Sequence, residues 1–337
     1  MEIYKEGMSW TGKILSLSQI PDADKILRAE VVLGKGGRWS GVVRKDEFVE
    51  GDTVVVFLPD AIVPQLPSLS FMEPHKWRVK MMRLRGCPSE VLIVPISILT
   101  PNILGTAPDI GTDVTVELGV KKYEKEIPLS LSGVMARAFP SFISKTDEPN
   151  FQGVPELRQA LVGHACIIST KIDGSSQTFF HRDGHLGGCS RNWELRDTLT
   201  AAVWVIAHRY QIPAKLASYG NFAIQWEACG PKIQSNPLKL PQVEPRVFDI
   251  WDIDSQKYLD HNDAVAIAEG LGLPFVPCDE PIIYRDFSDD DLRGMAEGTY
   301  ESSVQREGIV IRPVREMRVE GQRLSFKVRN LLYQERG

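Results

Sequence analysis

Short apolar stretches separated by turn residues fill the first 120 positions of the chain. β-branched and aromatic residues dominate these stretches, and glycine-containing breaks at 34–37 and 50–52 divide them. Few windows have the 3.6-residue period of an amphipathic helix. The pattern predicts strands at 29–33, 39–43, 53–58, 77–84 and 90–96. A series of short strands with little helix predicts a small closed barrel, such as an OB-like β-barrel.

Residues 121–150 interrupt this pattern. The charged cluster at 121–126 is followed by Pro128, Pro140 and Pro149, which discourage regular structure. We therefore predict a junction near 125–135 and two domains, residues 1–128 and residues 129–337.

Helical and strand patterns both occur in the second domain. Helices are predicted at 155–161, 199–218, 262–271 and 289–296. Strands are predicted near 165–171, 187–191, 222–228, 246–253, 308–314 and 323–329. Because strands and helices do not alternate as in a βαβ array, the pattern favours an α+β fold with antiparallel sheets flanked by helices.

Composition and charge narrow the possible functions. At 337 residues, with 43% hydrophobic and 25% charged positions, the chain resembles an ordinary globular protein with two cores. The five cysteines never form Cys-x-x-Cys, which fits reduced thiols in a cytoplasmic protein better than disulfides or a zinc site. No apolar run is long enough for a signal core or a membrane helix, so we expect no membrane partner.

A net charge of −5 means that binding to a nucleic acid would need a local basic surface. The segment 75–85 is the strongest candidate for such a surface. As a strand it would place Lys76, Arg78 and Lys80 on one face and Trp77 on the other. Such a face is either simply solvated or a track for phosphates on a barrel, and both interpretations remain open.

Lys171 is the candidate for covalent chemistry. It ends an apolar run, Asp173 follows on the same strand face, and Gly174 allows a sharp turn. A lysine attacks phosphorus only as the neutral amine, and its ordinary pKa is about 10.4. Lowering that pKa to about 7–8 by burial and neighbouring cations requires roughly 4 kcal/mol. Alone, Lys-x-Asp-Gly is a weak signal, because a surface lysine in a turn is the ordinary alternative.

Other polar groups recur at the ends of later strands. An acid at a strand edge is usually solvated, and paired cations usually extend into solvent. Together, however, these residues supply a nucleophile, acids suited to a divalent metal, and cations suited to phosphates. The full set, which begins with Lys171 and Asp173 and includes one aromatic residue, is Lys171, Asp173, Arg191, Glu227, Phe248, Asp249, Glu307, Lys327 and Arg329.

In this order the motifs resemble those of the covalent nucleotidyltransferases, the superfamily of DNA and RNA ligases and mRNA capping enzymes. Motifs I, Ia, III, IIIa, IV and V correspond to Lys171-x-Asp173-Gly174, Ser190-Arg191, Glu227-x-x-Gly230, Phe248-Asp249, Glu307-Gly308 and Lys327-x-Arg329. The segments 139–148 and 230–236 resemble RNA ligases in particular. A basic segment ending at Gly86, in a barrel that precedes the transferase domain, resembles the fifth RNA ligase family.

This resemblance implies an ATP-dependent RNA ligase that acts in RNA repair through lysyl-AMP and adenylated RNA. Its partners would be RNA with 3′-OH and 5′-phosphate ends, in a nicked or broken duplex or an RNA/DNA hybrid, and the protein would be a cytoplasmic monomer. Lys171 would accept AMP, and Asp173, Glu227 and Glu307 would hold Mg²⁺ or Mn²⁺ through waters. The remaining nucleotide contacts would be Thr170, Ser176, Arg191, Phe248, Lys327 and Arg329, with Phe248 stacked on adenine and the last two on the α-phosphate.

The chain departs from the family pattern at two positions. Motif V commonly ends in lysine where this chain has Arg329, and many relatives have an arginine near the position of Asn150. Lys145 and Arg158 are the candidates to replace that missing arginine on the ATP phosphates.

Three alternatives remain open: a DNA ligase, a GTP-dependent capping-type enzyme, and a non-catalytic nucleic-acid-binding protein that retains the fold. The intact motif residues argue against the last, and the lack of a cysteine zinc module disfavours an NAD-dependent ligase.

Overall fold

The computed structural model describes residues 7–34, 36–99, 108–123 and 133–333. By its internal contacts the chain divides into one unit of residues 1–125 with 151–155 and a second of residues 126–150 with 156–337. The predicted boundary after residue 128 lies outside the described residues, so it stays a prediction.

An antiparallel five-stranded sheet forms the frame of the first unit, in the order β3-β2-β1-β4-β8. Val54 and Val56 contribute to one apolar cluster and Val55 and Phe57 to another, because side chains alternate along a strand. All four are fully buried, so this strand has core on both faces. The strands are β1 (Ser9–Gln19), β2 (Ile26–Val32), β3 (Arg38–Arg44), β4 (Thr53–Phe57), β5 (Ala61–Ile62), β6 (Met82–Leu84), β7 (Cys87–Ser89), β8 (Leu92–Pro95) and β9 (Lys121–Lys122).

The predicted strand at 77–84 is wrong over most of its length. A 3₁₀ helix, Pro67–His75, precedes it, and Lys76 and Trp77 both adopt left-handed backbone conformations with φ of 53° and 61°. Only β6, at the end of the segment, is extended, although an isolated bridge joins Arg78 to Ile62. The cations at 76, 78 and 80 therefore do not share a strand face.

Two large antiparallel sheets and the two-stranded pair β20-β21 form the second unit. A seven-stranded sheet has the order β10-β14-β13-β12-β15-β16-β17, and a four-stranded sheet has the order β18-β11-β19-β22. The strands are β10 (Met135–Ala138), β11 (Ala165–Lys171), β12 (Ser175–Arg182), β13 (His185–Ser190), β14 (Trp193–Leu195), β15 (Phe222–Cys229), β16 (Glu244–Asp252), β17 (Lys257–Tyr258), β18 (Ile282–Ile283), β19 (Gly308–Pro313), β20 (Arg318–Val319), β21 (Gln322–Arg323) and β22 (Phe326–Arg329). The α+β prediction with antiparallel sheets is confirmed.

Five short helices accompany these sheets in the described residues: α1 (Pro155–Leu161), α2 (Ala202–Arg209), α3 (Ile212–Leu216), α4 (His261–Leu271) and α5 (Asp289–Ala296). The single helix predicted at 199–218 is instead α2 and α3, separated at Gln211 by a φ of 56°. Ile206 on α2 packs with Trp226 of the seven-stranded sheet in one buried cluster. None of the described helices has the length and apolar character needed to cross a membrane. All five cysteines are described, and all are free thiols.

Candidate active site

Lys171 ends β11 in a row that crosses three strands. In the sheet register Lys171 lies opposite Gly308 of β19, which lies opposite Arg329 of β22. Gly308 has a φ of 151°, and a side chain there would strike the carbonyl of Val328. Glycine thus permits the close approach of β19 and β22 that brings Arg329 into the row with Lys171.

The amine of Lys171 forms an ion pair with Glu307, at 2.6 Å between Nζ and Oε2. The two side chains are only 26% and 12% exposed, so water screens the pair weakly. Burial lowers the pKa of Lys171, but Glu307 and Glu227 together outweigh it and the pKa is raised. The predicted low pKa is therefore wrong for this arrangement, because the nearest charged group is a carboxylate instead of a cation.

Glu227 enters the same site from the seven-stranded sheet, where it lies opposite Ser176 of β12. The tight turn at Gly174 allows this approach, since a side chain there would overlap the carbonyl of Ala228. Burial, together with Glu307 and Asp173, raises the pKa of Glu227 to about 8 despite the opposing effect of Lys171. Ionisation of Glu227 is therefore disfavoured in this arrangement, first by burial and then by its acidic neighbours.

These carboxylates have the hard oxygen ligands that Mg²⁺ and Mn²⁺ prefer, and their mutual repulsion favours a cation between them. Within the described residues, however, no group of three His, Cys, Asp or Glu side chains is close enough to hold an ion directly. The residues therefore fit a hydrated divalent ion, bound through waters, better than a directly ligated one.

Two tyrosines that the sequence analysis missed hold the loop after Lys171. The Tyr300 hydroxyl accepts from the amides of Asp173 and Glu307, at 3.1 and 3.0 Å, and donates to the carbonyl of Lys171 at 3.0 Å. The Tyr333 hydroxyl donates to Oδ2 of Asp173. Burial raises the pKa of both phenols, and both stay neutral donors.

Asp147 connects two of the predicted phosphate-binding cations. Its carboxylate lies 3.1 Å from Nη2 of Arg191 and 3.9 Å from Nζ of Lys327. Arg191 is 57% exposed, whereas Lys327 is only 14% exposed. The backbone amide of Lys327 also donates to the carbonyl of Pro149 at 2.8 Å, so residues 147–150 lie against the start of β22.

The remaining predicted nucleotide contacts lie beside the same turn. Phe248 is half-buried and packs in one cluster with Ile172 and Tyr300. Thr170 precedes Lys171 on β11, and its hydroxyl lies 3.5 Å from Nη1 of Arg306. The structure therefore gathers every predicted catalytic and nucleotide-binding residue within the second unit.

Asp249, next to Phe248, belongs to a buried ionic network rather than to the reactive cluster. It is 3% exposed and accepts from Arg312 at 2.7 Å and from both Nη atoms of Arg323 at 2.7 and 2.8 Å. Arg323 also binds Glu316 at 2.9 Å and lies 3.7 Å from Glu148.

Of the two candidates to replace the missing arginine near Asn150, Arg158 is engaged elsewhere. It donates to Asp289 at 2.8 Å and to the carbonyl of Phe287 at 2.9 Å, at the start of α5. Lys145 donates to Asn192, the residue after Arg191, at 2.9 Å. Lys145 therefore contacts the sequence neighbour of Arg191, one of the predicted phosphate contacts.

The predicted RNA-binding cations lie in the first unit and differ from one another. Lys76 and Lys80 are exposed. Arg78 is bound to Asp60, with Nη2 at 2.5 Å from Oδ1, and lies over the ring of Tyr123 at 3.9 Å. Arg78 therefore has a structural role that the sequence did not indicate, and the binding of RNA by these residues stays a prediction.

Comparison with known proteins assigns the chain to a family. A family model described as RNA ligase matches residues 165–329, and an OB-fold domain model matches residues 9–96. No curated protein sequence matches the chain.

Solved structures of the Naegleria gruberi RNA ligase match along nearly the whole chain. An apo mutant is 30% identical, with 96% of each chain covered and a TM-score of 0.80. The structure with PPi is 30% identical, with 97% of each chain covered and a TM-score of 0.79. A mutant with ATP and Mn is 30% identical, with 96% of each chain covered and a TM-score of 0.77. With an OB fold ahead of a ligase domain that carries the motif residues in one cluster, this chain belongs to the RNA ligase family.

Proposed function

We propose that this protein is an ATP-dependent RNA ligase that joins 3′-OH and 5′-phosphate ends. Nζ of Lys171 attacks the α-phosphorus of ATP, forming a phosphoramidate (P–N) bond as the bond to pyrophosphate breaks. The AMP then passes to an RNA 5′-phosphate and frees Lys171. A 3′-hydroxyl finally attacks that activated phosphate, which forms the phosphodiester and releases AMP.

The position of Lys171 is the observation that carries this proposal. The lysine ends β11, forms an ion pair with Glu307 at 2.6 Å, and lies in the same sheet as the cations Arg329 and Lys327, which β22 carries on the far side of β19. Mutants of the Naegleria gruberi RNA ligase were solved with ATP and Mn and with AMP and Mn. These structures support the proposal that the same fold binds a nucleotide in this protein. A non-catalytic protein would have no need of a buried lysine among three carboxylates.

The surrounding residues have distinct proposed roles. Lys327 and Arg329 contact the α-phosphate, Arg191 contacts the ribose or a phosphate, and Phe248 stacks on adenine. Thr170 and Ser176 border the nucleotide at the two strands that flank the turn.

Asp173, Glu227 and Glu307 would hold Mg²⁺ or Mn²⁺ through waters. Such a cation would neutralise the carboxylates that now raise the pKa of Lys171, and it would offset the charge developing on the α-phosphate. The Lys171–Glu307 ion pair must open before attack, because it favours the protonated amine, which is not a nucleophile.

On the RNA side, we propose that residues 1–128 form the RNA-binding domain and residues 129–337 the transferase domain. Lys76 and Lys80 contact phosphates, and Arg78 supports their segment through Asp60. We propose a nicked or broken duplex as the substrate, in RNA repair, and an RNA/DNA hybrid as a second substrate. We further propose that the protein acts as a monomer in the cytoplasm.

Label transfer tests this function directly. The protein is incubated with Mg²⁺ or Mn²⁺ and ATP or GTP labelled at the α-phosphate, and label on the polypeptide is followed. We expect label from ATP in the parent, none in Lys171→Ala, and parental labelling in Lys257→Ala, which removes an exposed lysine. Preferred labelling by GTP would indicate a capping-type enzyme, and no labelling would indicate a non-catalytic protein.

Sealing assays then test the ends. A nicked duplex with a 5′-phosphate should be joined, and the same duplex with a 5′-hydroxyl should not. Faster sealing of an all-DNA nick than of an RNA nick would favour the DNA ligase alternative.

A further inference from the structure

Tyr300 contacts three segments of the candidate site with one hydroxyl group. It lies in the loop between α5 and β19, is 7% exposed, and packs in a cluster with Ile172 and Phe248. A phenol has one hydrogen to donate and two lone pairs to accept. All three are used here, on the carbonyl of Lys171 and the amides of Asp173 and Glu307.

The three partners are backbone groups of the proposed nucleophile and of two proposed metal-binding acids. Lys171 ends β11 and Asp173 lies two residues beyond it, while Glu307 directly precedes β19, 136 residues later in the chain than Lys171. Beyond residue 171 the strand register no longer joins these segments, because the pairing of β11 with β19 ends at Lys171 and Gly308. The hydroxyl therefore supplies the next link between them.

Tyr333 contacts the side chain of Asp173, whereas Tyr300 contacts its backbone amide. Its hydroxyl donates to Oδ2 of Asp173, and its own amide donates to the carbonyl of Asn330 at 3.1 Å. Asn330 is fully buried and directly follows β22. Its amide donates to the carbonyl of Glu307 at 2.9 Å. The side chain of Asp173 thus accepts from Tyr333, which is linked to Glu307 through Asn330.

We propose that Tyr300 and Tyr333 are positioning residues for the lysyl-adenylation step. Tyr300 fixes the spacing of the Lys171–Asp173 turn from Glu307 through backbone groups, and Tyr333 fixes the rotamer of the Asp173 carboxylate. The inference rests on the proposed function, because it concerns the reaction of Lys171 with ATP. Neither phenol contacts the nucleotide or takes part in bond making.

Amide hydrogen exchange tests the geometry without ATP or metal. In the parent, the amides of Asp173 and Glu307 should exchange slowly because Tyr300 accepts from both. Tyr300→Phe keeps the ring and removes this acceptor, so both amides should exchange faster. Tyr333→Phe should leave both amides protected, because it removes only a side-chain bond. Unprotected amides in the parent would overturn the proposal even if Tyr300→Phe did not fold.

Single-turnover adenylation tests the role. For Tyr300→Phe we expect a rate constant roughly 10- to 100-fold below the parent, the effect of a small misplacement of reacting groups. The KM for ATP should stay within about threefold of the parent, because the lost bonds do not reach the phosphate-binding cations. Tyr333→Phe should also lower the rate constant, and raise the metal concentration needed for half-maximal rate.

Tyr284→Phe is the matched control. Tyr284 is 1% exposed in the same unit and packs on Phe287 and Phe326, near the start of β11 rather than its Lys171 end. We expect it to adenylate at the parental rate. If folded Tyr300→Phe did the same, the positioning role would be refuted. A parent that forms no lysyl-AMP would instead refute the proposed function, whatever the exchange data show.

Discussion

Replacing Asp249 with asparagine should destabilise the second unit strongly. Asp249 is 3% exposed and accepts from Arg312 and Arg323 in three hydrogen bonds of 2.7 to 2.8 Å. Asparagine has nearly the same shape but no charge, so it leaves two buried guanidinium groups with Glu316 and the more distant Glu148 as their acidic neighbours.

The magnitude follows from the burial of the network. Removing one partner of a buried ion pair costs about 3–5 kcal/mol, because the remaining charge loses its compensation. For a domain of roughly 200 residues, each kcal/mol lowers the thermal midpoint by about 2–4 °C, which gives a decrease of about 6–20 °C.

Thermal and urea unfolding of Asp249→Asn and of Asp183→Asn would measure this effect. Asp183 is the control because its side chain is 74% exposed and its nearest cation, Arg182, is 3.5 Å away. We expect Asp183→Asn to unfold within about 0.5 kcal/mol of the parent.

The dependence on pH provides a second measurement. Burial raises the pKa of Asp249, but Arg312 and Arg323 outweigh it and hold the pKa below its ordinary value. Its contribution to stability is therefore complete above the unfolded pKa of about 3.9 and is lost as the pH falls through the lower folded pKa. Asp249→Asn should lack this acid-sensitive contribution. A midpoint within about 2 °C of the parent at neutral pH would refute the reasoning.

Four further predictions concern the site and the first unit. Glu227→Ala should strongly reduce label transfer from ATP while the thermal midpoint stays within a few degrees, as calorimetry would show, because its proposed role is in the reaction. Gly308→Ala should cost about 1–3 kcal/mol in urea unfolding, because φ there is 151° and the methyl group meets a carbonyl. Replacing Lys76 and Lys80 by alanine should spare adenylation and flatten the salt dependence of RNA binding by up to about 0.9 per lost contact on a log–log plot. Arg78→Ala should mainly lower thermal stability, because it breaks the pair with an acid.

The sequence predicted four of the five strands in the main sheet of the first unit but not the central one. β1 was missed because its second half carries exposed or half-buried positions such as Ser16, Ser18 and Gln19, which resemble a polar turn. The strand predicted at 77–84, in the basic segment, was wrong for the opposite reason. Its alternation resembles a strand, but the burial of Trp77 against the core and the pairing of Arg78 with Asp60 are long-range effects that a local pattern does not contain.

In the second unit the resemblance named the residues of the candidate site more completely than their surroundings. It predicted that Lys171, Glu227 and Glu307 belong together, and the structure places them in one cluster. It did not predict Tyr300, because the partners of that hydroxyl are backbone groups, which leave no signature in residue type or spacing. It also did not predict the Glu307 ion pair that raises the pKa of Lys171, since the sign of that shift depends on distance.

The row formed by Lys171, Gly308 and Arg329 also constrains when a newly made chain becomes reactive. Strand β11 is synthesised early, but its partner β19 begins 137 positions after Lys171, and β22 ends at position 329. Pairings of such long sequence separation form late in folding. The proposed nucleophile therefore exists in the polypeptide well before the cations that complete its surroundings, and a ribosome-bound fragment that stops short of β22 lacks part of the proposed adenylation site. Under the proposed function, formation of lysyl-AMP would report that the second unit has been synthesised and folded as far as β22.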